Sequence, residues 1–204
     1  LMERADRLEP EKRQSLFSAI YDDAMWLIGL VENLLSITKI EDNRIHMNIG
    51  PEMLEDIFAE ALSHLDRNAV KHHIRAELTD DMLMADMDAR LMVQVVINIV
   101  NNAIKYTPEG SRSTRSARSS GEQFIVEIAD DGPGIPDEQK SHVFDMFYSG
   151  ANKIADSRRS LGLGLSLCRS IVNAHGGKIT VSDNTPHGTV FTITLPAGEV
   201  EIHE

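Results

Sequence analysis

The spacing of apolar positions changes several times along the chain, and each change predicts an element. Between residues 12 and 41, Ile20, Ala24, Leu27, Val31, Leu34 and Thr38 recur at alternating spacings of four and three. That is a heptad seam on one long helix, and such seams bury themselves against other helices. Residues 1 to 8 read as the tail of a preceding helix, with Glu9-Pro10 in the connection. Two helices make a poor core alone, so the seam predicts a dimeric four-helix bundle. Gly50-Pro51 is a turn signal. Leu54, Ile57, Phe58, Ala61, Leu62 and Leu65 then mark an amphipathic helix, and Ile74, Ala76 and Leu78 alternate as in a half-buried strand. Asp88 is a good N-cap for a helix running to about Tyr106. Phe124, Val126 and Ile128 alternate again. Residues 165 to 174 are helical and stop at His175-Gly176-Gly177, a glycine terminus. Residues 178 to 183 and 189 to 195 read as a strand pair. Helices and strands mix without strict alternation, which predicts an α+β fold.

Two segments lack an apolar face. Residues 111 to 120 are rich in Ser and Arg, and read as a weak edge strand or a mobile loop. Residues 149 to 160 are polar and lead from one glycine-rich segment to another, the position of a lid beside a ligand site. The first of those segments, Asp130-Asp131-Gly132-Pro133-Gly134, ends a strand; the second, Leu161-Gly162-Leu163-Gly164-Leu165-Ser166, opens a helix. Glycines let backbone approach a ligand closely, and free N–H groups at a helix start favour phosphate. A carboxylate beside such a turn can accept a hydrogen bond from a base amino group. The helix from Asp88 carries Asn98, Asn102 and Lys105 on one face. Amide oxygens can ligate Mg²⁺, which also takes phosphate oxygens and water, and a lysine there can neutralise phosphate. Each feature alone is equally an exposed stripe or an ordinary glycine turn. Together they predict a nucleotide site built from separated segments.

Composition narrows this picture. The 204 residues, 42% hydrophobic and 25% charged, suffice for one domain plus a smaller element. A net charge of -12 argues against general nucleic-acid binding, which needs basic patches. A single cysteine, Cys168, excludes an internal disulfide and fits a reducing compartment; it reads as a small apolar helix residue. The best candidate membrane span, residues 24 to 37, contains Glu32 and Asn33 and is too short. No signal peptide is visible. The chain begins at Leu1 inside a helical pattern, so the expectation is a fragment of a longer protein.

The run Asn98-Ile99-Val100-Asn101-Asn102-Ala103-Ile104-Lys105-Tyr106-Thr107-Pro108 resembles the N box of bacterial sensor histidine kinases of two-component systems. Asp130-Asp131-Gly132-Pro133-Gly134 is similar to their G1 box, Phe144-Asp145-Met146-Phe147-Tyr148 to the F box, and Leu161-Gly162-Leu163-Gly164-Leu165-Ser166 to the G2 box. Residues 12 to 41 resemble the second helix of the dimerisation hairpin. The resemblance divides the chain into a partial dimerisation and phosphotransfer hairpin, 1–43, and a catalytic ATP-binding domain, 44–204. It implies a Bergerat-type fold: a mixed sheet covered on one face by helices, with ATP between them and a mobile lid. It further implies that Asn102, with Asn98, approaches Mg²⁺, that Lys105 contacts phosphate and that Tyr106 lines the pocket. Asp130 would accept from the adenine amino group, Gly132 and Gly134 would let adenine approach the backbone, and Thr189 would support that end. Gly162, Leu163 and Gly164 would offer backbone N–H groups to phosphates, and Phe144 and Phe147 would anchor the lid or simply pack. The implied cofactors are ATP and Mg²⁺. The implied partners are a response-regulator receiver domain and a second copy of the chain. The implied location is the cytoplasmic part of a membrane-anchored sensor. The region 33–42 and the boxes also resemble the potassium-responsive members.

Several positions depart from the family pattern. Ser160 stands where the G2 box has a further glycine, and Ser149 where a basic residue often follows the F box. Lys153, Arg158 and Arg159 could supply lid charge to a terminal phosphate, with Lys105 and the two arginines the candidates for assisting transfer. The acceptor histidine of the family lies on the first hairpin helix, and none of the eight histidines falls before residue 41. The expectation is an acceptor upstream of this fragment, and a chain that binds Mg-ATP without phosphorylating itself. Two readings compete: an ATP hydrolase or clamp of the same fold, and a degenerate nucleotide-binding dimerisation module. Hydrolases of this fold use a carboxylate on the N-box helix, and there is no glutamate between Leu91 and Tyr106.

Overall fold

The structure, a computed structural model, describes residues 9–42, 46–65, 72–78, 83–120, 122–148 and 162–197, with backbone only for 73–78. The expected helical tail at 1–8 and the expected lid at 149–160 lie outside the described residues. The elements are α1 (Pro10–Glu41), β1 (Gly50–Met53), α2 (Leu54–Ser63), β2 (His73–Leu78), β3 (Met84–Met87), α3 (Ala89–Tyr106), β4 (Arg112–Ser120), β5 (Gln123–Asp130), α4 (Asp137–Lys140), α5 (Gly164–Ala174), β6 (Lys178–Asp183) and β7 (Thr189–Pro196). Five strands form one sheet in the order β2-β4-β5-β7-β6, with β2 parallel to β4 and every other pair antiparallel. This is the mixed sheet of the expected α+β class.

Period-2 burial shows which face of the sheet carries the helices. Phe124, Val126 and Ile128 of β5, Phe191, Ile193 and Leu195 of β7, and Ile179 of β6 are buried together. Against them lie Val95, Val96 and Ile99 of α3 and Leu167, Ile171 and Val172 of α5, all at most 2% exposed. α3 starts where its cap predicts: the Asp88 carboxylate accepts from the Leu91 N–H at 3.1 Å. It ends where Thr107 turns back, its hydroxyl donating to the Ala103 carbonyl at 2.6 Å.

Two local expectations are corrected. Gly50-Pro51 opens a short strand that pairs antiparallel with β3, Gly50 opposite Met87 and Pro51 opposite Asp86. Proline is admissible here because the strand is an edge of a two-stranded ribbon. Residues 112–120 are neither an edge strand nor a loop: β4 is bonded on both sides, to β2 and β5. Its inward positions are Ser113, Arg115 and Ala117, all buried. Hydrogen bonding from two neighbours imposes a strand that the side chains do not announce.

Helix α1 has two stripes. The predicted seam is largely uncovered, with Ile20 62%, Leu27 51% and Val31 50% exposed. A second stripe, Trp26, Leu30, Asn33, Ile37 and Ile40, repeats the four-three spacing and turns inward. Ile37 at 0% and Ile40 at 8% exposure join the main core, where α1 packs on α5.

Candidate functional site

A cleft of about 410 Å³ opens at the end of the sheet where β5 stops and α5 begins. Asn102, Tyr106, Asp130, Gly162, Gly164 and Thr189 line it. They come from four separated segments, and the antiparallel register explains part of the convergence, since Asp130 lies opposite Thr189 across β5 and β7.

Asp130 sits at one end, 8% exposed. Its Oδ1 accepts from the Gly132 N–H at 2.9 Å and the Thr189 N–H at 3.3 Å. Burial pushes this carboxyl above its ordinary pKa, and the two N–H groups oppose that shift without cancelling it. Its carbonyl accepts from Asn184 Nδ2 at 2.8 Å. The carboxylate is therefore held in place by backbone before any ligand arrives. Gly132 does not line the cleft as expected of it. A Cβ there would stand 2.6 Å from Thr107 Cγ2 and 2.9 Å from Asp130 Oδ1, so the glycine makes room for those side chains. Gly134 does line the cleft.

At the other end α5 starts at Gly164 with Leu163 as its cap residue and no side-chain cap hydrogen bond. Its first N–H groups have no side chain of the cap to satisfy them, so they suit an anion. Gly162 (φ +66°) turns the chain into this position, and a Cβ on it would meet the Tyr148 carbonyl oxygen at 2.1 Å. Asn102 lines the cleft between the two ends. Asn98 lies one turn earlier, with Oδ1 3.5 Å from where a Gly164 Cβ would stand. Its Nδ2 is buried without a hydrogen-bond partner among the described residues. Lys105 does not line the cleft; its Nζ lies 5.4 Å from the Tyr106 ring centroid. Arg158 and Arg159 lie outside the described residues. Phe144 is buried edge-on to Phe191, centroids 6.3 Å apart, which favours packing. Phe147 is 60% exposed with φ +63°, the only positive φ of a non-glycine among the described residues.

The comparison with protein families matches residues 87–199 to the histidine kinase-, DNA gyrase B-, and HSP90-like ATPases. The chain belongs to this family. Within it the similarities point to the sensor histidine kinase branch. The sensor protein KdpD of Clostridium acetobutylicum is 36% identical over 196 residues, covering 96% of this chain and 22% of that protein. The chain thus spans about a fifth of that relative's length. The Acinetobacter baumannii histidine kinase AdeS superposes with a TM-score of 0.77 at 25% identity, covering 94% of this chain and 87% of that one. The histidine kinase ThkA, solved in complex with response regulator protein TrrA, gives a TM-score of 0.75 at 25% identity, covering 96% of this chain and 55% of that one.

The residues that resemble the family boxes account for much of the cleft's lining. Sequence reasoning missed another part of it: Trp26, Gly29, Leu30 and Asn33 of α1 also line the cleft. Asn33 Oδ1 accepts from Gln94 Nε2 of α3 at 3.4 Å. The signal was present in the four-three spacing of the second stripe, which the more apolar first seam obscured.

Proposed function

We propose that this chain is the ATP-binding catalytic part of a sensor histidine kinase. It transfers the γ-phosphoryl group of ATP to a histidine on another helix, for relay to a response-regulator aspartate. The observation that carries this reading is the pairing, in one cleft, of a buried carboxylate at Asp130 with the uncapped start of α5. One end suits a base amino group and the other a polyphosphate. ThkA, a structural relative, was solved with a response regulator, which supports that partner class. The similarity to KdpD supports a potassium-responsive parent.

Transfer would proceed in line, with positioning and charge neutralisation doing the catalysis. Asp130, steadied by Thr189 and Gly132, orients the base. The N–H groups after Gly162 hold phosphate oxygens. Asn102, with Asn98 behind it, offers amide oxygens to Mg²⁺. The donor set fits that ion: Mg²⁺ takes oxygen ligands and keeps several waters and phosphate oxygens, so an amide oxygen from Asn102, which lines the cleft, would complete its shell. When bound, Mg²⁺ would neutralise phosphate charge. Lys105, Arg158 and Arg159 would add positive charge near the terminal phosphate.

The domain boundary falls at 43/44 in this reading, with the hairpin before it and the catalytic domain after. The uncovered seam Ile20, Leu27 and Val31 is a surface for a second copy of the chain. No helix among the described residues is long and apolar enough to cross a membrane. Any anchor of the sensor therefore lies elsewhere than in these helices. Isothermal titration tests the reading directly: Mg-ATP should bind at a single site and displace Mg-ADP. Helix α1 carries no histidine, so γ-labelled ATP should leave no stable phosphohistidine on this chain. Absence of binding would favour a degenerate module, and steady phosphate release would favour a hydrolase.

A further inference from the structure

His175 ends α5 at the opposite end from the cleft and is 8% exposed. Its Nδ1 lies 2.8 Å from the Ile171 carbonyl oxygen, and its Nε2 lies 2.9 Å from the Asp88 backbone nitrogen. A carbonyl only accepts and a backbone N–H only donates, so the ring must be neutral, with its proton on Nδ1 and its lone pair on Nε2. Asp88 is itself a junction. One carboxylate oxygen caps α3 through Leu91 at 3.1 Å, and the other accepts from the Asn48 N–H, in the connector after α1, at 2.9 Å.

We propose that His175 is a positioning residue for the nucleotide site, tying the far ends of α3 and α5 together so that their near ends stay in register. The proposal rests on the nucleotide reading above. α3 and α5 lie side by side in opposite senses, since His175 meets Asp88 at one end while Gly164 meets Asn98 at the other. The 11 residues of α5 span about 16 Å, so a change of tilt at His175 becomes a displacement of the phosphate-binding turn relative to Asn98 and Asn102. Displacements of about 1 Å are enough to impair such a site. Between the two ends Cys168 makes a weak polar tie, its Sγ lying 3.7 Å from the Val95 carbonyl oxygen. Through Asp88 the same tie holds the backbone at Asn48, just ahead of β1, placing that segment, α3 and α5 on one fixed point.

Two substitutions separate this role from simple packing. His175→Gln places an acceptor near the Nε2 position and can keep the Asp88 bond. His175→Asn places its polar group near Nδ1 and keeps only the local bond to Ile171. ¹⁵N NMR of the imidazole should show the neutral Nδ1–H form. Titration with Mg-ADP should give wild-type affinity within about twofold for the Gln variant and an affinity about fivefold weaker for the Asn variant, the effect of one lost hydrogen bond. An Nε2–H tautomer, equal binding by Asn and wild type, or equal weakening of both variants would overturn the proposal. If the Asn variant does not fold, the Gln variant decides, and a fivefold weaker affinity there refutes it. Absence of binding by the wild type would instead refute the nucleotide reading, and the proposal with it.

Discussion

Asp130 is a residue whose burial costs the fold and which, in the proposed function, receives the base. Burial raises its folded-state pKa above the unfolded value, so the folded chain holds that proton longer. Stability therefore falls as pH rises from the ordinary carboxylate range of about 3.9 through the raised folded value, and the cost is fully present above it. Asp130→Asn should raise the melting temperature at neutral pH, with a gain that shrinks as pH falls toward that range. The same change replaces acceptors with a donor facing the base amino group, so affinity for Mg-ATP should fall at least about tenfold, as when a buried polar group loses its partner. Calorimetry and titration on one variant check both halves, and a stability loss with intact affinity would remove Asp130 from the site. Cys168 shows the contrasting case of burial without function. The thiol is fully buried and pushed up to about 12. It should resist iodoacetamide in the native chain and react after denaturation, and rapid native labelling would contradict its burial.

At the scale of elements, the legible parts are those whose apolar period is decided by one face. α2, α3, α5, β5 and β7 show that period in sequence and fold as expected. β4 does not, because its inward residues are Ser113, Arg115 and Ala117. The reason is visible at Arg115, which is 1% exposed with its guanidinium carbon 5.3 Å from the Phe58 ring centroid of α2. An aromatic face covers a cation at a position where a sheet ordinarily carries an aliphatic side chain. Its Nε and Nη1 have no hydrogen-bond partner among the described residues, and burial lowers its pKa. A cation desolvated in this way is destabilising, and uncharged side chains of similar volume often do better. Arg115→Met should therefore raise stability by about 1 kcal/mol in urea unfolding, the low end of such replacements. A loss of stability would show that the guanidinium is paired. The site was legible for a different reason. Asp130, Asn102, Gly162 and Gly164 each depart from the apolar period of the element they end or carry, and a departure stands out in sequence. At Gly132 sequence reveals that a glycine is needed, and only the fold reveals that Thr107 and Asp130 are the neighbours it accommodates.

At the scale of the whole molecule, the long helix and the candidate cleft are one structure, because Trp26, Gly29, Leu30 and Asn33 also line the cleft. Ile37 and Ile40 anchor that arrangement in the core, and full burial of one such side chain contributes about 1.5–3 kcal/mol. Gly29 offers a way to test it. Beyond its chain neighbours and its own helix backbone, no atom of the described residues lies within 4 Å of a Cβ built on Gly29, and Gly29 lines the cleft, so a side chain there has open space to grow into. Gly29→Ala should leave nucleotide affinity unchanged and stabilise the chain by about 1 kcal/mol, the helix-interior difference between the two residues. Gly29→Trp should keep the helix but fill much of the space, weakening Mg-ATP binding at least about tenfold by titration. The pair separates two states of the molecule. If the helix stays on the cleft when nucleotide binds, the indole and the ligand compete and only the large substitution weakens binding. If the helix leaves the cleft on binding, both variants bind as wild type does, and the contact belongs to the nucleotide-free state alone.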